Sequence, residues 1–207
     1  MKKITLLLIP AFIYFFSATS CVKDRVSAPA APDTSLGSRM LIHYWNFNSS
    51  DTTQMLMPNT SIGGASITYV AAYYDAVDPG SSFNLRNGDT AGTGLRMRNP
   101  FTSVTFNLPT TGYQQPILIF AAERSSNGPS IDNVSYTLDG TTFTAGGLAA
   151  NTFALDTLWN EYTFDFSSIA GASNNPHFAV QFSSANNNTG TSGNDRYDNV
   201  TLDAYKQ

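Results

Sequence analysis

The sequence predicts an all-β domain built as an antiparallel, two-sheet β-sandwich. Three observations carry this expectation. Apolar and polar residues alternate with period 2 in segment after segment, so one face of each can meet a core. No segment carries the 3.6-residue stripe of an amphipathic helix. Only 13% of residues are charged and 13% are aromatic, among abundant Ser, Thr, Asn and Gly, a balance that favours strands and turns.

Taken in order, Leu41-Ile42-His43-Tyr44-Trp45-Asn46-Phe47 is the first candidate strand, and Ile67 to Tyr74 the next. Leu95 and Met97 alternate with Arg96 and Arg98, so the arginines face outward, in reach of acidic side chains across the strand. Val104, Phe106 and Leu108 form another inward set. Pro116 to Ala122 is a continuous apolar run, as expected of a central strand covered on both faces. Ser135 to Leu138 leads into Asp139-Gly140, a hairpin turn signal, and Thr141 to Thr144 returns. Tyr162, Phe164 and Phe166 alternate, as do Phe178, Val180 and Phe182. The last strand is Tyr197 to Tyr205, with Val200 and Leu202 on one face. About nine to eleven strands fit this spacing. Strong patterns at both ends of the domain point to pairing between the first and last strands. Ile131-Asp132-Asn133-Val134-Ser135 echoes Tyr197-Asp198-Asn199-Val200-Thr201, but the echo is too short for an internal repeat.

The N-terminus reads differently. Met1-Lys2-Lys3 is followed by an apolar run from Ile4 to Ala18, broken by Thr5, Pro10 and Ser17. It is shorter than the roughly 20 residues a membrane-spanning helix needs. A basic start, a short apolar core and small residues after it make a secretory signal over 1–20. Ala18-Thr19-Ser20-Cys21 resembles a bacterial lipobox, in the looser form usual in the Bacteroidetes, with Ala18 where Leu is common. Cys21 is the one cysteine, so no intrachain disulfide forms, and lipidation at Cys21 accounts for it. The plainer alternative is an ordinary signal peptide with an incidental cysteine. Residues 21–39 read as the lipidated cysteine and a Pro-, Ala- and Ser-rich tether, with the sandwich over 40–207. Lys23-Asp24 is similar to the signal that sends some Bacteroidetes lipoproteins to the cell surface. The expected location is therefore the outer membrane, held by lipid, with the domain outside the cytoplasm. Acidic residues outnumber basic ones, 15 to 11, and no basic stripe occurs, so nucleic acid is not an expected partner.

Several segments together carry a resemblance: LIHYWNFN (41–48), GLRMRNP (94–100), LPTTGYQQPILIFAAERS (108–125), YTLDGTTF (136–143), FDFSSIAGASNNPHFAVQF (164–182) and NDRYDNVTL (194–202). Their order and spacing resemble jelly-roll domains of exported Bacteroidetes proteins, largely without assigned function. The closing RYDNVTL is also similar to the end of jelly-roll carbohydrate-binding modules with a galactose-binding-like fold. That resemblance implies a structural calcium, with Asp198 as the last-strand ligand and Asn46 or Asn48 as first-strand oxygen donors. Calcium takes six to eight oxygens and tightens with ligand charge, and Asn46 stands where many relatives have an acid. The alternative is that Asp198 caps a turn or pairs with Arg196 or Arg98.

Catalysis finds little support. No Gly-x-Ser-x-Gly elbow occurs, and Asp132, Asp139, Glu161 and Asp165 lie on separate elements with no facing pair. The chain is therefore not expected to be an enzyme. His43 and His177 are the only histidines, and nothing brings them together for a metal. Sugar binding would need exposed rings beside polar groups. Trp159 is expected to point outward, with Leu158 continuing the inward face of Tyr162 and Phe164. Tyr73, Tyr74 and Tyr113 are the further candidates beside loops. Packing of these rings under loops is the plainer alternative. Asp51-Thr52-Thr53, Asp89-Thr90-Ala91 and Asp156-Thr157-Leu158 are similar to a Bacteroidetes O-glycosylation pattern. Two functions follow: a tethered glycan-binding module, or a structural or protein-interaction domain of the envelope.

Overall fold

Period-2 segments become strands wherever one face can be buried, and among the described residues they make eleven. In chain order these are β1 (Met40–Trp45), β2 (Thr60–Ser61), β3 (Ser66–Val77), β4 (Gly94–Asn107), β5 (Tyr113–Arg124) and β6 (Ile131–Thr137). They continue as β7 (Phe143–Thr144), β8 (Thr152–Ala154), β9 (Asn160–Asp165), β10 (Ala179–Ser184) and β11 (Asn194–Lys206). Among the described residues one short helix, α1 (Thr52–Met55), sits between β1 and β2. The computed structural model describes residues 37–185 and 192–207. The signal peptide, lipidated Cys21 and tether expected from the sequence fall, up to residue 36, outside the described residues.

Every pairing is antiparallel. Two long strands change partners along their length and so make two layers from one ladder. β11 keeps β5 on one side; on the other it pairs first with β4 and then with β1. β4 keeps β3 on one side; on the other it pairs first with β11 and then with β10. One layer therefore runs β2-β1-β11-β5-β9, and the other runs β3-β4-β10-β6 with β7 and β8 beyond. They join at a corner where the first halves of β4 and β11 pair. The expected meeting of first and last strands is present, with Trp45 opposite Val200 and Tyr44 opposite Thr201.

Side chains on the inner faces fill the space between the layers. Trp45 on β1 meets Phe106 on β4 edge-on, ring centroids 5.6 Å apart. Phe120 on β5 meets Phe182 on β10 at 4.6 Å and Phe153 on β8 at 5.3 Å. None of these strand pairs is hydrogen-bonded, so the contacts cross from layer to layer. Large rings supply most of this burial, and their edge-to-face geometry adds to it.

The segments around Leu95 and Val104, which read as two strands, form the single strand β4. β3 follows it throughout, with register shifts around Ala71 that absorb the bend. The β3–β4 connection, residues 78–93, lies over the outer side of β11. Asn199 Nδ2 donates to the carbonyls of Ser81 and Phe83, both at 2.9 Å, and Asn84 Nδ2 donates to those of Asn199 and Ile119 at 2.6 and 3.1 Å. This segment reaches the outer side of β5 at the Ile119 carbonyl, while Ile117 and Ile119 stay part-exposed there, so only the inner face of the Pro116 to Ala122 run is covered throughout.

Candidate functional site

At the corner, pairing register lines up one row of charges across four strands. Asp75 on β3 lies beside Arg96 on β4, Arg96 beside Arg196 on β11, and Arg196 beside Glu123 on β5. Leu95 and Met97 are fully buried, so their alternating neighbours Arg96 and Arg98 stand on the outer face. Arg96 grips Asp75 with two hydrogen bonds, Nε and Nη2 each at 2.7 Å from a carboxylate oxygen. Arg98 reaches the same carboxylate at 3.2 and 2.9 Å. Burial pushes the Asp75 carboxyl up, but the hydrogen bonds and charges of the two arginines outweigh it and hold it at about 2. Arg196 donates from Nη1 to Glu123 at 2.5 Å and from Nε to Asn194 Oδ1 at 2.7 Å. The arginines thus keep fixed orientations while their side chains stay 21–30% exposed.

Rings flank the row. Tyr73 is 54% exposed, with the Arg98 guanidinium 5.4 Å from its ring centre. Trp159 is half-buried and reaches Gly94, where its Cη2 lies 3.0 Å from the place a Cβ would occupy. Any side chain at residue 94 would push against that ring. Gly94 and Arg98 are four residues apart on β4, so the two rings mark a span of roughly 13 Å with Arg96 between them. This is an open, preorganised face with aromatic ends and a charged middle.

Tyr73 and Trp159 therefore share a face, whereas Tyr74 and Tyr113 do not join them. Tyr74 has the opposite parity, packs on the core, and donates its hydroxyl to Thr52 O at 3.1 Å. Tyr113 starts β5 at its far end, opposite Lys206. The expected inward position of Leu158 is corrected: it is 70% exposed, because β9 begins only at Asn160 and alternation does not extend into the preceding loop. Arg196, Glu123 and Asp75 escaped sequence reasoning. The outward alternation of Arg96 and Arg98 pointed to acidic partners, but naming them required the register.

The other anticipated groups fall elsewhere. His43 is buried and its Nε2 bonds the Pro109 carbonyl at 2.8 Å; burial lowers its pKa to about 4 against that hydrogen bond. His177 is exposed in the turn that precedes β10. Asn48 and Asp198 come to the same connection, 78–93. Asn48 Oδ1 accepts from Thr93 N at 2.7 Å, and Asn46 Oδ1 from Asn48 N at 3.1 Å. Asp198 Oδ2 accepts from Ser81 N at 2.6 Å and Oδ1 from Asn199 N at 2.8 Å. Asp198 thus bonds Ser81 and Asn199 rather than Arg196 or Arg98. Asn46, Asn48 and Asp198 supply a single carboxylate, and each side-chain oxygen already accepts from an N–H, so they fit a calcium ion poorly. Among the described residues, no three or more His, Cys, Asp or Glu side chains gather as a metal centre. On the far side of the connection, a groove of about 420 Å³ has Leu41, Ile117 and Ile119 at its floor and the Arg86–Asp203 pair, 3.0 Å, at its wall.

No protein-family model matches the sequence, and no curated protein matches it. Solved structures of similar shape include the CBM22-1 xylan-binding domain of Paenibacillus barcinonensis Xyn10C, with a TM-score of 0.49, 9% identity, and coverage of 82% of this chain and 97% of that one. A carbohydrate-binding module of family 29 gives a TM-score of 0.40, 11% identity, and coverage of 80% and 89%. The K1 cleaved adhesin domain of Lys-gingipain from Porphyromonas gingivalis W83 gives 0.39, 10% identity, and coverage of 80% and 98%. What the site does has to be read from its own residues.

Proposed function

We propose that this domain is a non-catalytic carbohydrate-binding module that takes a glycan chain along the outer face of the β3-β4-β11-β5 corner, presented at the cell surface by lipid on Cys21. The observation that carries this reading is the placement of Tyr73 and Trp159 on either side of the Asp75-Arg96-Arg196-Glu123 row, at Arg98 and Gly94 of β4. Pyranose rings offer apolar C–H faces to aromatic rings and hydroxyls to charged donors and acceptors, and this face supplies both. Ion pairs hold the arginines in place before binding, which lowers the ordering cost of association. A binding rather than a hydrolytic role suits Asp75. A general acid needs a raised pKa, and Asp75 is held at about 2.

A glycan array with the native protein, followed by calorimetry on its best ligand, tests the reading. Tyr73→Ala and Arg96→Ala should each weaken binding about tenfold, or about 1.4 kcal/mol. Gly94→Ala should weaken it by displacing Trp159. Silence across the array would contradict the reading. Shaving intact cells with protease tests surface exposure, and protection of the domain would place it on the periplasmic face.

A second reading rests on the edge of β3. Among the described residues β3 pairs only with β4, and Val70 and Tyr73 on it are 59% and 54% exposed. An unpaired edge of this length suits an envelope protein that adds a strand.

A further inference from the structure

The inner side of the same corner ends in oxygens that have nothing to bind. Asp195 stands two residues before Tyr197 on β11, so both point between the layers. Tyr197 donates its hydroxyl to Asp132 Oδ2 on β6 at 2.6 Å. Register places Ser184 on β10 beside Asp132. It also places Asp195 opposite Met97 on β4, one inward position from Asn99. Asp132 and Asp195 are fully buried and Asn99 is 6% exposed. Yet Asp132 Oδ1, both carboxylate oxygens of Asp195, Asn99 Oδ1 and Ser184 Oγ have no hydrogen-bond partner among the described residues. The orientation of the Asn99 amide is set by its other end, since Nδ2 donates to Ser192 O at 2.9 Å.

Nearby charge does not satisfy these atoms. Arg124 faces Asp195 across the β5–β11 pair, but its donors go to carbonyls: Nε to Leu155 O at 3.0 Å, and Nη1 to Ser125 O and Ser126 O at 3.2 and 3.0 Å. A proton on Asp195 would remove charge but leave its oxygens without partners, and a buried unpaired polar group costs about 1–3 kcal/mol. All five atoms are oxygens, two groups are carboxylates, and no nitrogen or sulfur ligand joins them. That is the ligand chemistry of calcium, which takes six to eight oxygens, and not of zinc.

We propose that Asp132 and Asp195, with Asn99 and Ser184, hold a buried calcium ion that ties β4, β6, β10 and β11 together at the corner. The site differs from the Asn46, Asn48 and Asp198 set expected from the sequence, whose oxygens are already engaged.

The test is a calcium titration of the chelator-stripped full-length protein, read by melting temperature and by terbium luminescence. The native chain should gain melting temperature with calcium, as any ligand of the folded state produces. Tyr197, bonded to Asp132, should sensitise bound terbium. Asp195→Asn and Asp132→Asn should weaken both responses at least tenfold, while Asp198→Asn keeps them. Ser184→Ala, a milder change, should weaken them less and guards against a variant that does not fold. Absence of both responses in the native chain would overturn the proposal. So would full retention in Asp195→Asn, or loss confined to Asp198→Asn.

Discussion

Asp195 and Asp198 stand three residues apart on one strand, and both are fully buried, yet they live in opposite surroundings. Asp198 points to the outer side and is met by the backbone N–H groups of Ser81 and Asn199. Asp195 points between the layers and meets no donor. An odd spacing on a strand reverses the face, and the face decides the partner. Asp198 is a strut that holds the 78–93 connection over β11. Asp195 has the features of a ligand. A buried carboxylate by itself therefore says little about its role; the donors around it do.

The contrast predicts opposite responses to substitution. Asp198→Ala leaves two buried N–H groups unpaired and should cost about 3–4 kcal/mol in urea unfolding. His43 is an intermediate case, with Nε2 paired and Nδ1 unpartnered. Its folded pKa of about 4 lies below the ordinary 6.5, so the unfolded chain binds the proton more readily between those values. Stability should fall as pH drops from 6.5 to 4, by up to about 3 kcal/mol, and His43→Gln should flatten that part of the profile. Burial pushes the Asp195 carboxyl up to about 9, so in chelated protein it must take up a proton on folding at neutral pH; Asp195→Asn removes that cost and should raise stability by about 1–2 kcal/mol. A loss of that size instead would erase the distinction from Asp198. The smallest effect belongs to Asp75, which is paired but part-exposed. Asp75→Asn should change unfolding by less than about 1 kcal/mol, yet weaken glycan binding by freeing Arg96 and Arg98.

Much of the fold was legible because one buried face writes itself as alternation. The β1–β11 pairing, the outward Arg96 and Arg98, and the inner Phe120, Phe164 and Phe182 all follow from parity within a strand. Parity between strands is what a single sequence does not carry. Asp132 and Asp198 occupy matching places in the Ile131–Ser135 and Tyr197–Thr201 echo, yet one faces inward and the other outward. Trp159 was anticipated at the site through an alternation that stops at Asn160. Its true anchor is Gly94, far away in the chain. Asp75, Arg196 and Glu123 became a row only through register.

Side-chain NMR tests glycan binding at the outer face directly. The account predicts that, on titrating labelled protein with the best array ligand, the Trp159 indole N–H and the Nε–H signals of Arg96 and Arg98 shift together along one saturable curve. Unmoved Trp159 and arginine signals, with shifts instead around Ile117, Ile119 and Asp203, would contradict it and move the binding site to the groove across the 78–93 connection.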